Sequence, residues 1–182
     1  MFQINDNIIY GEYGVCKVAD IATPPITGID KNCKYYILHP MRTGGHTIYT
    51  PIDNLKVAMR NILTREEALR LVNRISSIDF LWIANDKLRE EYYKKSLRSN
   101  DIVEWVKIIK TLHLRKEERK AEGKSVSATD EKYLKIAEMC LYDELSIALG
   151  IPEDEIKEYV LKKNEEQEII TEDIAGISRY LG

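Results

Sequence analysis

A chain of 182 residues suffices for one medium domain or two small ones, and its 44% hydrophobic and 31% charged residues exclude wholesale disorder. The formal net charge of −3 gives no overall basic character, so any nucleic-acid contact has to come from a local patch. The opening Met1-Phe2-Gln3-Ile4-Asn5-Asp6 lacks the basic and apolar regions of a signal peptide, and no run approaches the roughly 18 apolar residues of a membrane span. Cys16, Cys33 and Cys140 are odd in number and widely spaced, which argues against a disulfide framework and for a reducing cytoplasm.

Residues 1–60 read as a small β domain. Short β-type runs recur at Ile8-Ile9-Tyr10, Val15 to Ile21, Lys34 to His39, Thr47 to Thr50 and Leu55 to Met59. Gly11, Gly14, Pro24-Pro25, Gly28 and Gly44-Gly45 punctuate them, a pattern that suits a curved antiparallel sheet closed into a compact barrel. From Asn61 the period changes, and residues 61–164 read as a helical bundle.

Thr64-Arg65-Glu66-Glu67 has the capping-box pattern, followed by Leu69, Val72 and Ile75 on one face. Asp101 caps a helix with Ile102, Trp105, Val106, Ile109 and Leu112 on its apolar stripe. Glu117 to Ala128 reads as a helix end and exposed loop. Another helix starts near Asp130, with Leu134, Ala137, Leu141, Leu145 and Ala148 inward and Gly150 at its end. Pro152 and the acids Glu153, Asp154 and Glu155 open the next. Residues 165–182 read as a tail or short helix carrying Ile170, Ile174, Ile177 and Leu181, with an interruption at Gly176. The fold class expected is therefore α+β in two domains.

No catalytic motif is complete. Glu122-Gly123-Lys124-Ser125 resembles the end of a phosphate-binding loop, but Glu118 stands where that loop needs a glycine. His39, His46 and His113 fall in three separate elements without carboxylate or cysteine at ligand spacing. No enzyme, metal or cofactor is expected.

The stretch from Lys87 to Lys120 holds eleven basic residues and six acids in a chain that is acidic overall. It reads either as a phosphate-binding patch or as a solvated surface of ion pairs such as Glu91 with Lys95. Trp105 belongs to a core stripe. Trp82, in Phe80-Leu81-Trp82-Ile83, reads either as core or as an exposed contact.

The order of these features resembles the CarD family of bacterial RNA polymerase-binding regulators. The resemblance rests on Phe2 ahead of Asn7-Ile8-Ile9-Tyr10-Gly11 and Tyr13-Gly14-Val15, then Tyr35-Tyr36-Ile37-Leu38 and Thr47-Ile48-Tyr49-Thr50-Pro51-Ile52-Asp53-Asn54. Arg60 closes this module, and Leu97-Arg98-Ser99-Asn100-Asp101-Ile102 resembles a helix boundary of the second one.

The resemblance implies a Tudor-like barrel that binds the polymerase β subunit, with Pro24, Ile48, Tyr49 and Pro51 as contact residues. It implies a helical domain that meets promoter DNA at the upstream edge of the bubble, where a tryptophan wedge and neighbouring cations modulate open-complex stability. The DNA candidates are Trp82, Asp86, Lys87, Arg89, Lys94, Lys95 and Arg98. Counting back from Asp101, Asp86 occupies the wedge position and Trp82 lies four residues earlier. Pro24 and Tyr49 stand where other members carry polymerase-contacting arginines. Two further readings compete with this one: a protein-interaction module without DNA contact, and a small hydrolase whose pocket the sequence does not foreshadow.

Overall fold

The computed structural model describes residues 1–28, 30–42, 46–81, 83 and 85–180, the side chains of residue 86 and residues 168–180 excepted. The N-terminal strands are β1 (Asn7–Tyr10), β2 (Val15–Ala22), β3 (Tyr35–Pro40), β4 (Ile48–Pro51) and β5 (Met59–Asn61). The helices that follow are α1 (Arg65–Val72), α2 (Arg89–Arg98), α3 (Ile102–Ala121), α4 (Ala128–Leu149) and α5 (Glu153–Tyr180). This is the α+β arrangement that the change of period implies.

The strands pair antiparallel in the order β4-β3-β2-β1-β5. Ile48 from one edge and Met59 from the other pack on the same buried cluster of Ile8, Tyr10, Cys16, Val18, Tyr36 and Leu38. Side chains, not a β4–β5 ladder, complete this wrap among the described residues. The fifth strand lies later than the run Leu55 to Met59 suggests. Asn54 is the reason: its Oδ1 accepts the Lys56 N–H at 2.8 Å and its Nδ2 donates to the Val57 carbonyl at 3.3 Å. That local turn competes with strand pairing and delays β5 to Met59.

Strand β1 is buried on both faces. Ile8 faces the barrel cluster, whereas Ile9, with Val15 of β2, joins the larger core built by the helices. The capping box forms as its residues imply, with the Glu67 N–H donating to Thr64 and the Thr64 N–H to Glu67 at 2.8 Å. In α3, Asp101 accepts the Val103 N–H at 2.9 Å, and the stripe of Ile102, Trp105, Val106, Ile109 and Leu112 is buried. The cap of α4 is Ser127, and Asp130 lies in its first turn, buried. The backbone of α5 is continuous through Asn164 and Gly176 to Tyr180.

The barrel and bundle meet at a polar joint. Glu144 of α4 is completely buried, and Arg60 of β5 grips it with two hydrogen bonds of 2.5 and 2.8 Å. The same carboxylate accepts the Leu63 N–H at 2.8 Å. Arg60 also donates to the Asn100 carbonyl at 2.6 Å and lies 5.4 Å over the Trp105 ring. Next to it, Arg42 pairs with Asp143 and Glu153. Gly14 makes the close approach possible: at φ +68°, a Cβ there would stand 3.2 Å from the Cys140 sulfur.

Breaking a buried ion pair leaves an uncompensated charge, at a cost of about 3–5 kcal/mol. Arg60→Met should therefore lower the free energy of unfolding by that amount in a denaturant titration, and an unshifted midpoint would contradict the assignment. Burial pushes the Cys16 and Cys140 thiols up to about 12; the Cys33 thiol is raised too, by its hydrogen bond to Asp30, but it is only half-buried and so can be reached. Native protein at pH 8 should accordingly take up one equivalent of iodoacetamide, at Cys33, and unfolded protein three.

Candidate functional site

Two surfaces of this body answer to the site residues read from the sequence. The first is the outer edge of β4, which pairs with β3 alone among the described residues. Its side chains alternate: Ile48 is half-buried, Tyr49 is 39% exposed, Thr50 is buried and Pro51 is half-buried. The Ile52 N–H donates to the Lys34 carbonyl at 3.1 Å. By the alternation of an antiparallel ladder, Thr50 and Ile48 turn their backbone groups towards β3, and Tyr49 turns its own to the open side. Pro51, which has no N–H to offer, suits that edge. Tyr49 stands opposite Ile37, and on the neighbouring pair Lys17 stands opposite His39, so the outer face is mixed in character. Tyr49 is thus a surface residue and not part of the barrel core. Pro24 is buried in the β2–β3 connection; Ile26, two residues on, is 39% exposed.

The second surface is the outer face of α2. Tyr93, Ser96 and Leu97 turn inward and fix the helix on the bundle. The candidate cations divide into two groups. Arg89 is only 17% exposed and lies 3.8 Å from the buried Asp130 carboxylate, which Arg115 approaches at 3.4 Å and the Tyr93 hydroxyl at 3.4 Å. Burial, with Asp130 next to it, pushes the Tyr93 phenol well above its ordinary range. Lys94 pairs with Glu90 at 2.9 Å, and this contact holds the Glu90 carboxyl below its usual range. The helical ion pair formed is therefore Glu90 with Lys94.

Lys87, Lys95 and Arg98 are exposed, and among the described residues they take part in no ion pair. Glu91, Lys95 and Arg98 share one face at i, i+4, i+7 spacing, with Lys87 one turn ahead. Leu88 and Tyr92, 43% and 40% exposed, flank Lys95 in a shallow depression. The wedge position, Asp86, lies in the 3-10 turn Asp86–Leu88 that leads into α2. Trp82 lies outside the described residues. Around it the connection is tied to α3: the Leu81 N–H donates to Thr111 at 2.7 Å, and Lys110 sits 5.1 Å over the Phe80 ring.

His113 and Lys157 both bind Glu138, at 3.1 and 3.0 Å, and these partners hold the Glu138 carboxyl below its usual range. Among the described residues no three metal-ligating side chains come together, and no helix is long and apolar enough to cross a membrane.

Glu144 and Asp130 are buried carboxylates that the sequence hardly distinguishes from surface acids. Their signal was faint: each stands among the apolar positions of α4.

Residues 2–63 match the family model of the CarD-like/TRCF RID domain, and residues 83–161 match that of the CarD C-terminal domain. No curated protein gives a match. The first match ends where α1 is capped, and the second begins in the connection before α2. With both halves matched in order over most of its length, the chain belongs to the CarD-like family of RNA polymerase-interacting transcription regulators.

Proposed function

We propose that residues 1–60 dock on the β subunit of RNA polymerase through the β4 edge, and that residues 61–164 carry α2 to promoter DNA at the upstream edge of the bubble. There the contact modulates the stability of the open complex. No chemistry is performed; the protein works by adding contacts to a state that others create. This reading places its action in the cytoplasm.

The observation that carries the polymerase half is the open β4 edge with Tyr49 beside it. An unpaired edge strand can accept a partner's strand through main-chain hydrogen bonds, and a neighbouring aromatic supplies an anchor. Ile48 and Pro51 flank this anchor on the same strand. Pro24, being buried, acts on the surface only by shaping the connection that exposes Ile26.

The DNA half rests on the unpaired stripe of α2. A cation already paired within the chain, Arg89 with buried Asp130 and Lys94 with exposed Glu90, has less to gain from a phosphate, so these two contribute less than Lys87, Lys95 and Arg98. Asp86 repels phosphate and cannot act as an apolar wedge; Trp82, four residues earlier in sequence, takes that role in this proposal. The acidic chain binds free duplex poorly by itself, and the polymerase supplies the local concentration.

The competing reading, a protein-interaction module without DNA contact, draws support from the internal neutralisation of Arg89 and Lys94. It requires polymerase binding that promoter DNA does not improve.

Tyr49→Ala should weaken binding to the β subunit about tenfold, the 1.4 kcal/mol typical of a modest interface anchor, with an unchanged unfolding midpoint. Equal affinity for variant and wild type would remove Tyr49 from the interface.

Neutralising Lys87 and Lys95 together should reduce the slope of log affinity against log salt for the polymerase–promoter complex by about 1.8, or roughly 0.9 for each lost phosphate contact. Lys94→Gln should change it less. Equal slopes for wild type and the double variant would favour the module without DNA contact.

Trp82→Ala should shorten the open-complex half-life while leaving the unfolding midpoint in place. A loss of stability of about 3–5 kcal/mol would instead mark a buried tryptophan.

A further inference from the structure

We propose that the DNA-facing surface does not end with α2 but crosses onto the barrel, where a cleft formed by Arg98, Lys56 and Tyr13 holds the sugar–phosphate backbone. This extension rests on the DNA reading above.

The cleft has a volume of about 280 Å³ and is lined by Gly11, Glu12, Tyr13, Lys56, Val57 and Arg98. It is assembled from three stretches distant in sequence: the 3-10 turn Gly11–Tyr13 after β1, the loop before β5, and the last turn of α2. Each is held in place. Asn100, just past α2, donates its side-chain N–H to the Ala58 carbonyl at 2.5 Å. Asn54 braces Lys56 and Val57 through the two hydrogen bonds already described. Gly11, at φ +50°, lets the turn approach the loop so closely that a Cβ would stand 3.0 Å from Val57. The cleft is therefore set before any partner arrives.

Its chemistry is that of a backbone contact. Lys56 and Arg98 are exposed, and among the described residues neither takes part in an ion pair. Tyr13 is 46% exposed, with its ring centroid 6.0 Å from that of Tyr10, which leaves its outer side for a sugar or base. Glu12 contributes one carboxyl, so two cations against one acid leave the cleft positive. Arg98 belongs both to this cleft and to the α2 stripe, which makes the surface continuous from Lys87 to Lys56. From Lys87 to Arg98 the stripe spans roughly 16 Å at the helical rise per residue, the axial length of about five base pairs. Lys56 shares the cleft with Arg98 at that end. A duplex lying along α2 would thus pass the barrel loop.

The test uses the full chain bound to polymerase on a fluorescent promoter fragment, with Lys56→Gln, Lys56→Arg and Lys95→Gln compared. Lys56→Gln is expected to reduce the salt slope by about 0.9 and Lys56→Arg to retain it, with β-subunit affinity in the absence of DNA unchanged for both. If Lys95→Gln lowers the slope and Lys56→Gln does not, the interface stops at α2 and this extension is wrong. A loss of β-subunit affinity in Lys56→Gln would make the cleft a polymerase contact and equally overturn it. If neither glutamine variant alters the slope, the underlying DNA reading fails together with its extension.

Discussion

A carboxylate with no access to solvent is the constraint on which this molecule depends. Glu144 sits wholly inside, and Arg60, arriving from the last strand of the barrel, together with the Leu63 N–H, makes its charge tolerable there. The requirement is mutual, because Arg60 also satisfies the Asn100 carbonyl at the end of α2 and covers Trp105. One side chain thus fixes the barrel against α4, the end of α2 and the centre of the bundle. Hydrophobic contact alone, which has no direction, would leave these orientations less determined.

That joint gives the two candidate surfaces a fixed relation. The β4 edge and the α2 face belong to different halves of the chain, and the pairs Arg60–Glu144 and Arg42–Asp143 join those halves. Ile9 and Val15 bring the back of the barrel sheet into the helical core. Asp130 has a comparable part on the other side of α2. By engaging Arg89, Arg115 and Tyr93 it seats the inner face of the helix, while Lys87, Lys95 and Arg98 stay outside. Buried Asp130 therefore sorts the basic residues of this region: Arg89 and Arg115 hold the fold, while Lys87, Lys95 and Arg98 take part in no ion pair among the described residues.

Much of this was legible in the sequence where a local rule operates. Gly and Pro punctuation marked the strands, and Thr64 and Asp101 marked helix starts through the same hydrogen bonds that the structure contains. The apolar stripe of α3 followed from its spacing. The β5 strand was misplaced because the run Leu55 to Met59 looks extended, whereas the Asn54 side chain bends it. The candidate sites were less legible. Composition counts Arg89 and Lys95 alike, and only the packing of α2 on α4 shows that Asp130 meets the first. The exposure of Tyr49 depends on register: it faces outward opposite Ile37, while Thr50 next to it on the same strand is buried. Lys56 and Tyr13 had no signal at all, since their cleft arises from contacts between stretches over 40 residues apart in sequence.

The central claim is that the barrel contact delivers the α2 contact, one rigid body serving both. A double-mutant cycle tests it most directly, with open-complex half-life measured at a protein concentration far below that needed for direct DNA binding. Wild type, Tyr49→Ala, Lys95→Gln and the double variant are compared. If the tether is a precondition, Lys95→Gln shortens the half-life in the wild-type background and has a much smaller effect beside Tyr49→Ala, where the roughly tenfold weaker contact leaves most complexes without the protein. Independent effects that simply multiply would contradict the account, because they would mean that α2 reaches the DNA without help from the barrel.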